Sequence, residues 1–114
     1  MIVMKFGGSS LESTSAIRRV ADIVGSRLPK HPVVVVSAMG KTTNALLAMA
    51  TDAAQGKRSE AVAQLRAIED FHRREAMPLA SANHRQELET VFTDHFRDLG
   101  EIVESGIVAG IAPQ

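Results

Sequence analysis

Cysteine is absent from the 114-residue chain, which excludes a disulfide scaffold, a thiolate metal centre and a cysteine nucleophile together. Histidine and carboxylates are the ligand types left for a metal. The four histidines, His31, His72, His84 and His95, include no pair three or four residues apart, so no metal-ligand spacing results. Charge of either sign is not in excess: 13 Lys and Arg balance 13 Asp and Glu. Neither a basic nucleic-acid grip nor a polybasic membrane patch is indicated. Long apolar runs are lacking too. The valines at 33–36 and the stretch Ala45 to Ala50 fall far short of the roughly 20 residues that span a bilayer. The opening MIVMKFGG has no basic region before its apolar residues and no cleavage pattern. A signal peptide does not fit, and a cytoplasmic location is expected.

What is present suits a folded domain. Hydrophobic residues make up 45% and charged residues 23%, close to soluble globular averages, and the length allows one domain. Ile2 to Phe6 reads as a short strand stopping at Gly7-Gly8, and Val33 to Val36 repeats the pattern after Pro32. Continuous rather than alternating apolar runs predict strands buried on both faces, as in a parallel sheet. Between them Ile17, Val20, Ala21, Val24 and Leu28 recur at helical spacing, with Ser13 or Thr14 as N-cap and Pro29 as the stop. A strand, helix, strand unit of this kind places both strand C-termini on one edge, where ligands of such sheets bind.

Beyond the second strand the pattern is helical. Thr43 to Ala54 is a small-residue helix with a stop at Gln55-Gly56. Ala61, Leu65, Ile68 and His72 mark a second helical face, with Val62 and Phe71 beside it and Pro78 as the interruption. Leu88, Val91, Phe92, His95, Leu99, Ile102 and Val103 form a third apolar stripe, on which His95 reads as a satisfied core histidine. The mixed charges from Glu69 to Glu75 read as a solvated face with pairs three or four residues apart. Residues 1–56 thus form a βαβα part and residues 57–114 a helical part. The ending, Ile107 to Gln114, is apolar and lacks an obvious stop. Two strands alone leave both sheet edges unpaired, so the chain reads as the front of something larger.

Two turns can carry chemistry. In Lys5-Phe6-Gly7-Gly8-Ser9-Ser10 the paired glycines let backbone N–H groups approach a phosphate closely. Lys5 offers a compact positive charge, and the serines offer hydroxyl donors. The same hexapeptide also fits a plain strand-to-helix turn with an exposed lysine and capping serines. In Ser37-Ala38-Met39-Gly40-Lys41-Thr42-Thr43-Asn44, Gly40-Lys41-Thr42 imitates the tail of a Walker A loop. The first glycine of that motif would stand where Val35 is, inside the strand, so it is not a P-loop. A polar turn at a helix start remains, suited to an anion or simply to capping by Thr43 or Asn44.

KFGGSS after an N-terminal strand, followed by VVVVSAMGKTTN and a largely helical stretch, resembles the beginning of an aspartokinase, a member of the amino acid kinase superfamily. The resemblance runs from Met1 through at least Ala54. Acetylglutamate, glutamate and uridylate kinases share a lysine-glycine turn but resemble this sequence less around Ser9-Ser10 and Ser37 to Asn44. The resemblance implies an α/β chain: a partial amino-acid-kinase fold, Rossmann-like and three-layered, with two parallel strands and a helix-rich insertion. It also implies ATP-dependent phosphorylation of the L-aspartate side-chain carboxylate to 4-phospho-L-aspartate, for lysine, threonine and methionine synthesis. Lys5 would stabilise charge on the transferring phosphoryl group and is the catalytic candidate. Lys5, Gly7, Gly8, Ser9 and Ser10 would bind ATP, Ser37 and Thr43 would bind aspartate, and Mg²⁺ would arrive with ATP rather than at a protein metal site.

Aspartokinases continue with a Ser-Phe-Gly-Glu segment whose glutamate binds the substrate amino group, then a nucleotide-binding lobe and ACT domains. None of these occurs before Gln114, so the 114-residue chain by itself is expected to be inactive. Unpaired strand edges predict self-association, and neither nucleic acid nor membrane is expected as a partner. Two alternatives stay open: a non-catalytic helical interaction module, and another amino acid kinase.

Overall fold

In the computed structural model the described residues are 1–105; the apolar ending from Ile107 to Gln114 lies outside them. The architecture is α/β, with two parallel strands and four α-helices among the described residues, as the sequence predicts. The chain divides into two compact units, parting between Thr42 and Thr43. The small-residue helix therefore groups with the helices after it.

In the first unit β1 (Ile2–Phe6) pairs in parallel with β2 (Pro32–Val36), Val3 opposite Val33 and Phe6 opposite Val36. A single 3₁₀ turn, Gly8–Leu11, follows β1 and is anchored by buried Leu11. Helix α1 (Thr14–Ser26) starts at Ser13, whose side chain accepts from the Ala16 N–H at 3.1 Å. That contact satisfies one of the orphan donors of the first turn. Ile17, Val20 and Val24 lie on its covered side, while Ala21 and Leu28 of the expected face are exposed. The helix ends before Pro29, which sits in a 3₁₀ turn at Leu28–Lys30. His31 then turns the chain into β2 with φ 53°.

The expectation of strands buried on both faces is corrected. Val33, Val34, Val35 and Val36 are 40–56% exposed, and Ile2, Met4 and Phe6 are only half-buried in alternation with exposed Val3 and Lys5. Continuous valine runs mark strands made to be covered on both sides. The one helix that connects this pair of strands cannot cover both faces of it.

The second unit is a three-helix assembly. Helix α2 (Thr42–Ala54) ends as expected at Gln55-Gly56. Gly56 has φ 79°, its N–H donates to Ala53 O at 3.2 Å, and the Lys57 N–H donates to Asp52 O at 2.9 Å. This is a Schellman closure, for which the left-handed conformation suits glycine. Helix α3 (Arg58–Ala76) runs to the Met77–Leu79 turn around Pro78, and α4 (Arg85–Ser105) returns against it. Met49 from α2, Ala61, Leu65 and Ile68 from α3, and Phe96 and Val103 from α4 form one buried cluster. Burying a Leu, Ile, Val, Phe or Met side chain in such a cluster is worth about 1.5–3 kcal/mol, and the single methyl of Ala61 less.

The α4 stripe has a different register from the expected one. Phe92, Phe96, Leu99 and Val103 face the core, while His95 is exposed and Val91 and Ile102 are 48% and 38% exposed. The expected and observed stripes share Phe92, Leu99 and Val103, and the larger aromatic surface of Phe96 decides which of the adjacent positions 95 and 96 is covered. The satisfied core histidine is His72. Its Nδ1–H donates to Ile68 O at 2.8 Å, and its ring meets Phe71, Phe92 and Phe96 edge-on. Arg73 adds an electrostatic tie between α3 and α4, bonding Glu69 one turn back at 2.9 Å and Glu89 and Thr93 across the helix pair. Its guanidinium also lies over Phe92. The hydrogen bond that Arg73 donates to the Glu69 carboxylate raises the guanidinium pKa further above its ordinary value.

Candidate active site

The two turns singled out from the sequence meet in the first unit. Beyond the strand ladder, Ser37 N–H donates to Phe6 O at 3.1 Å, and Gly40 N–H donates to Gly8 O at 3.0 Å. The segment after β2 therefore continues alongside the segment after β1, and the two touch at glycines. A side chain on Gly8 would run into the carbonyl oxygen of Gly40. Gly40 itself has φ 56°, a region that non-glycine residues occupy at a cost of about 1–2 kcal/mol.

Gly7 is different. Its backbone is extended, with φ −85° and ψ −178°, which any residue adopts. Among the described residues a Cβ there would meet nothing within 4 Å. Neither conformation nor packing against those residues calls for glycine at this position, and its backbone is exposed.

Lys5, one residue before the end of β1, is exposed on the same strand face as Val3. No carboxylate pairs with it among the described residues. Ser9 is exposed and Ser10 half-buried in the 3₁₀ turn, where the Ser10 N–H donates to Gly7 O at 3.1 Å. Ser37 is exposed at the end of β2, with its hydroxyl donating to the Ala38 carbonyl at 2.8 Å. Lys5, Gly7, Gly8, Ser9, Ser10 and Ser37 thus stand at the C-terminal edge of the β1–β2 pair. Thr43 opens the second unit as an exposed residue in the first turn of α2.

Capping of that helix by Thr43 or Asn44 is corrected. Helix α2 already includes Thr42, whereas a capping residue precedes the helix with non-helical backbone. Thr42 itself was not singled out by sequence, yet it is the buried polar residue of the described chain, 8% exposed. Its hydroxyl donates to Met39 O at 2.6 Å and its N–H to the same oxygen at 3.1 Å. Gly40 likewise gains its importance only from the contact with Gly8. The nearest signal in the sequence was the Gly40-Lys41-Thr42 string, which imitates a motif the chain lacks.

Chemically, this edge offers a cation, two exposed hydroxyls and a glycine turn open to close approach. That set suits an anion with several oxygens. No cluster of three or more His, Asp or Glu side chains that could hold a metal occurs among the described residues. No helix among them is long and apolar enough to cross a membrane.

A parallel strand pair ending in apposed glycine turns, with an exposed lysine on the first strand, makes this an α/β protein of the kind the sequence predicts. The profile of the amino acid kinase family matches residues 1–111, and the chain belongs to that family. Among curated proteins it is 36% identical to aspartokinase 2, chloroplastic, of Arabidopsis thaliana over 104 residues, 90% of this chain and 18% of the relative. It is 54% identical to the aspartokinase of Corynebacterium glutamicum over 52 residues, 44% of this chain and 12% of the relative. It is 46% identical to the aspartokinase of Mycobacterium tuberculosis over 52 residues, again 44% and 12%. The resemblance read from KFGGSS and VVVVSAMGKTTN is borne out. The chain spans less than a fifth of the length of these relatives.

Proposed function

We propose that the chain supplies the phosphate turn of an aspartokinase, with ATP as donor and the L-aspartate side-chain carboxylate as acceptor. The observation that carries the proposal is the Gly8–Gly40 apposition, which brings both polar turns to one strand edge with Lys5 exposed beside them. In the reaction a carboxylate oxygen attacks the γ-phosphorus, the bond to the β-phosphate oxygen breaks, and ADP leaves with the electron pair. Positioning and charge neutralisation are what such a transfer asks of a protein. Lys5 offers its ammonium to the phosphoryl oxygens. Gly7, Gly8, Ser9 and Ser10 cradle the nucleotide phosphates, and Ser37 and Thr43 contact aspartate.

The residues present fit ATP, because Gly7 leaves room where a side chain would block a phosphate and Lys5 has no competing carboxylate among the described residues. Mg²⁺ would come bound to the nucleotide and neutralise phosphate charge there. The product, 4-phospho-L-aspartate, assigns the parent enzyme to amino-acid biosynthesis toward lysine, threonine and methionine, and a cytoplasmic location belongs to the same reading. Residues 1–56 are the phosphate and substrate part and residues 57–114 the helical part of one kinase domain.

Binding is the test, because the chain alone is expected to bind without turning over. Calorimetric titration with MgATP should give saturable binding that Lys5→Ala weakens about tenfold or more, the value of one charge-assisted contact. A coupled ADP-release assay with aspartate should show no turnover. ATP binding unaffected by Lys5→Ala would overturn the site, and turnover abolished by that substitution would overturn the division of labour. A second reading, association through the exposed valines of β2 and the strand edges that are unpaired among the described residues, predicts a mass that rises with concentration. A monomer at all concentrations would contradict it.

A further inference from the structure

We infer that Thr42 is a positioning residue for the phosphate turn: its hydroxyl closes the Met39–Thr42 bend, and that bend fixes the peptide after Gly8. The inference rests on the reading of Gly7–Ser10 as the nucleotide-phosphate turn.

Within the first unit a continuous chain of contacts runs from one turn to the other. The Thr42 hydroxyl and N–H both donate to the Met39 carbonyl oxygen, at 2.6 and 3.1 Å. Two donors on one oxygen hold the bend that carries Gly40 at φ 56°. The Gly40 N–H donates to Gly8 O at 3.0 Å, and the Gly40 carbonyl occupies the place of a Gly8 side chain. No peptide bond of the described chain is cis, so the Gly8 C=O and the Ser9 N–H lie antiparallel in one plane. Holding the carbonyl toward Gly40 therefore aims the Ser9 N–H away from Gly40, as a fixed dipole. An exposed turn on its own would sample several peptide orientations, and an anion would have to order it on binding. A bend clamped by a buried hydroxyl spares the ligand that ordering.

The burial of Thr42 supports the same role. A hydroxyl at an 8% exposed residue exchanges poorly with water, so its bond to Met39 O persists where a surface threonine would exchange it. Thr42→Val keeps the branched shape and removes the donor, whereas Thr42→Ser keeps the donor.

The test joins amide hydrogen exchange, read by NMR on the 114-residue chain, with MgATP titration of the same samples. Thr42→Val is expected to speed exchange of the Gly40 amide and to weaken ATP binding, each about tenfold, the factor one net hydrogen bond is worth. Thr42→Ser is expected to restore both to within about twofold of the parent. Thr42→Ala, also lacking the hydroxyl, gives an independent reading should the valine variant not fold. Unchanged Gly40 exchange in a hydroxyl-less variant, or failure of serine to restore it, overturns the inference. If the parent binds no ATP while Gly40 exchange still follows the hydroxyl, the proposed function fails and the link from Thr42 to Gly8 stands.

Discussion

Gly7 and Gly8 are adjacent and identical in type, yet alanine should act on them in opposite ways. At Gly7 the backbone is extended and a Cβ meets nothing within 4 Å. Gly7→Ala then acts mainly through the unfolded chain, which loses conformational freedom, for a gain of about 0.4–1 kcal/mol. At Gly8 the Cβ overlaps the Gly40 carbonyl. Backbone cannot rotate away as a flexible side chain would, so the turns must part and the Gly40 N–H to Gly8 O bond breaks. The lost bond is worth about 1 kcal/mol and the forced displacement about 1–3 kcal/mol more. Gly8→Ala should therefore cost about 2–4 kcal/mol, lowering the melting temperature by roughly 10 °C for a chain of this size. Thermal and urea unfolding give the stability difference, and MgATP titration of each variant gives the affinity. Gly7→Ala should fold at least as well as the parent while losing ATP affinity, because its methyl would occupy the space proposed for phosphate. A Gly7→Ala variant that is destabilised as much as Gly8→Ala, or that binds ATP undiminished, would refute the reasoning.

Other substitutions test the helical unit. Phe96→Ala should cost about 3–4 kcal/mol by emptying the aromatic cluster, whereas His95→Ala should stay within about 0.5 kcal/mol; chemical denaturation that ranked them the other way would reverse the register of α4. Gly56→Ala should destabilise by about 1 kcal/mol because its φ is 79°. Gly100→Ala should stabilise by about 0.5–1 kcal/mol, since its Cβ would make an ordinary 3.7 Å contact with Leu65. Arg73→Ala should cost about 1–2 kcal/mol in urea unfolding through loss of its ties to Glu69, Glu89 and Phe92, and Arg73→Lys should recover only part of it.

Local signals were legible where the physics was local. The two valine- and isoleucine-rich strands, the Ser13 cap and the Gly56 closure each depend on a few neighbouring residues, and each lies where the sequence places it. Three features depend on contacts distant in sequence and were read differently. The valines of β2 have the composition of a doubly covered strand, but how much of a strand is covered is set by its neighbours. On α4 the choice between His95 and Phe96 is made by α3, through His72 and the core around Leu65. At the site, the Gly7-Gly8 pair was visible as a turn, yet nothing in the hexapeptide distinguishes a glycine that admits a ligand from one that admits Gly40. Thr42 was hidden for the same reason: its hydroxyl serves a bend whose purpose is the contact with another loop.

The most direct measurement of the central claim, that the ends of β1 and β2 form one phosphate site, is a residue-resolved NMR titration of the 114-residue chain with MgATP. The amides of Gly7, Gly8, Ser9, Ser10 and Gly40 should shift together along one saturation curve, and Lys5→Ala should weaken all five equally. Shifts confined to the helices from α2 onward, or a response at Gly7–Ser10 that leaves Gly40 unmoved, would contradict it.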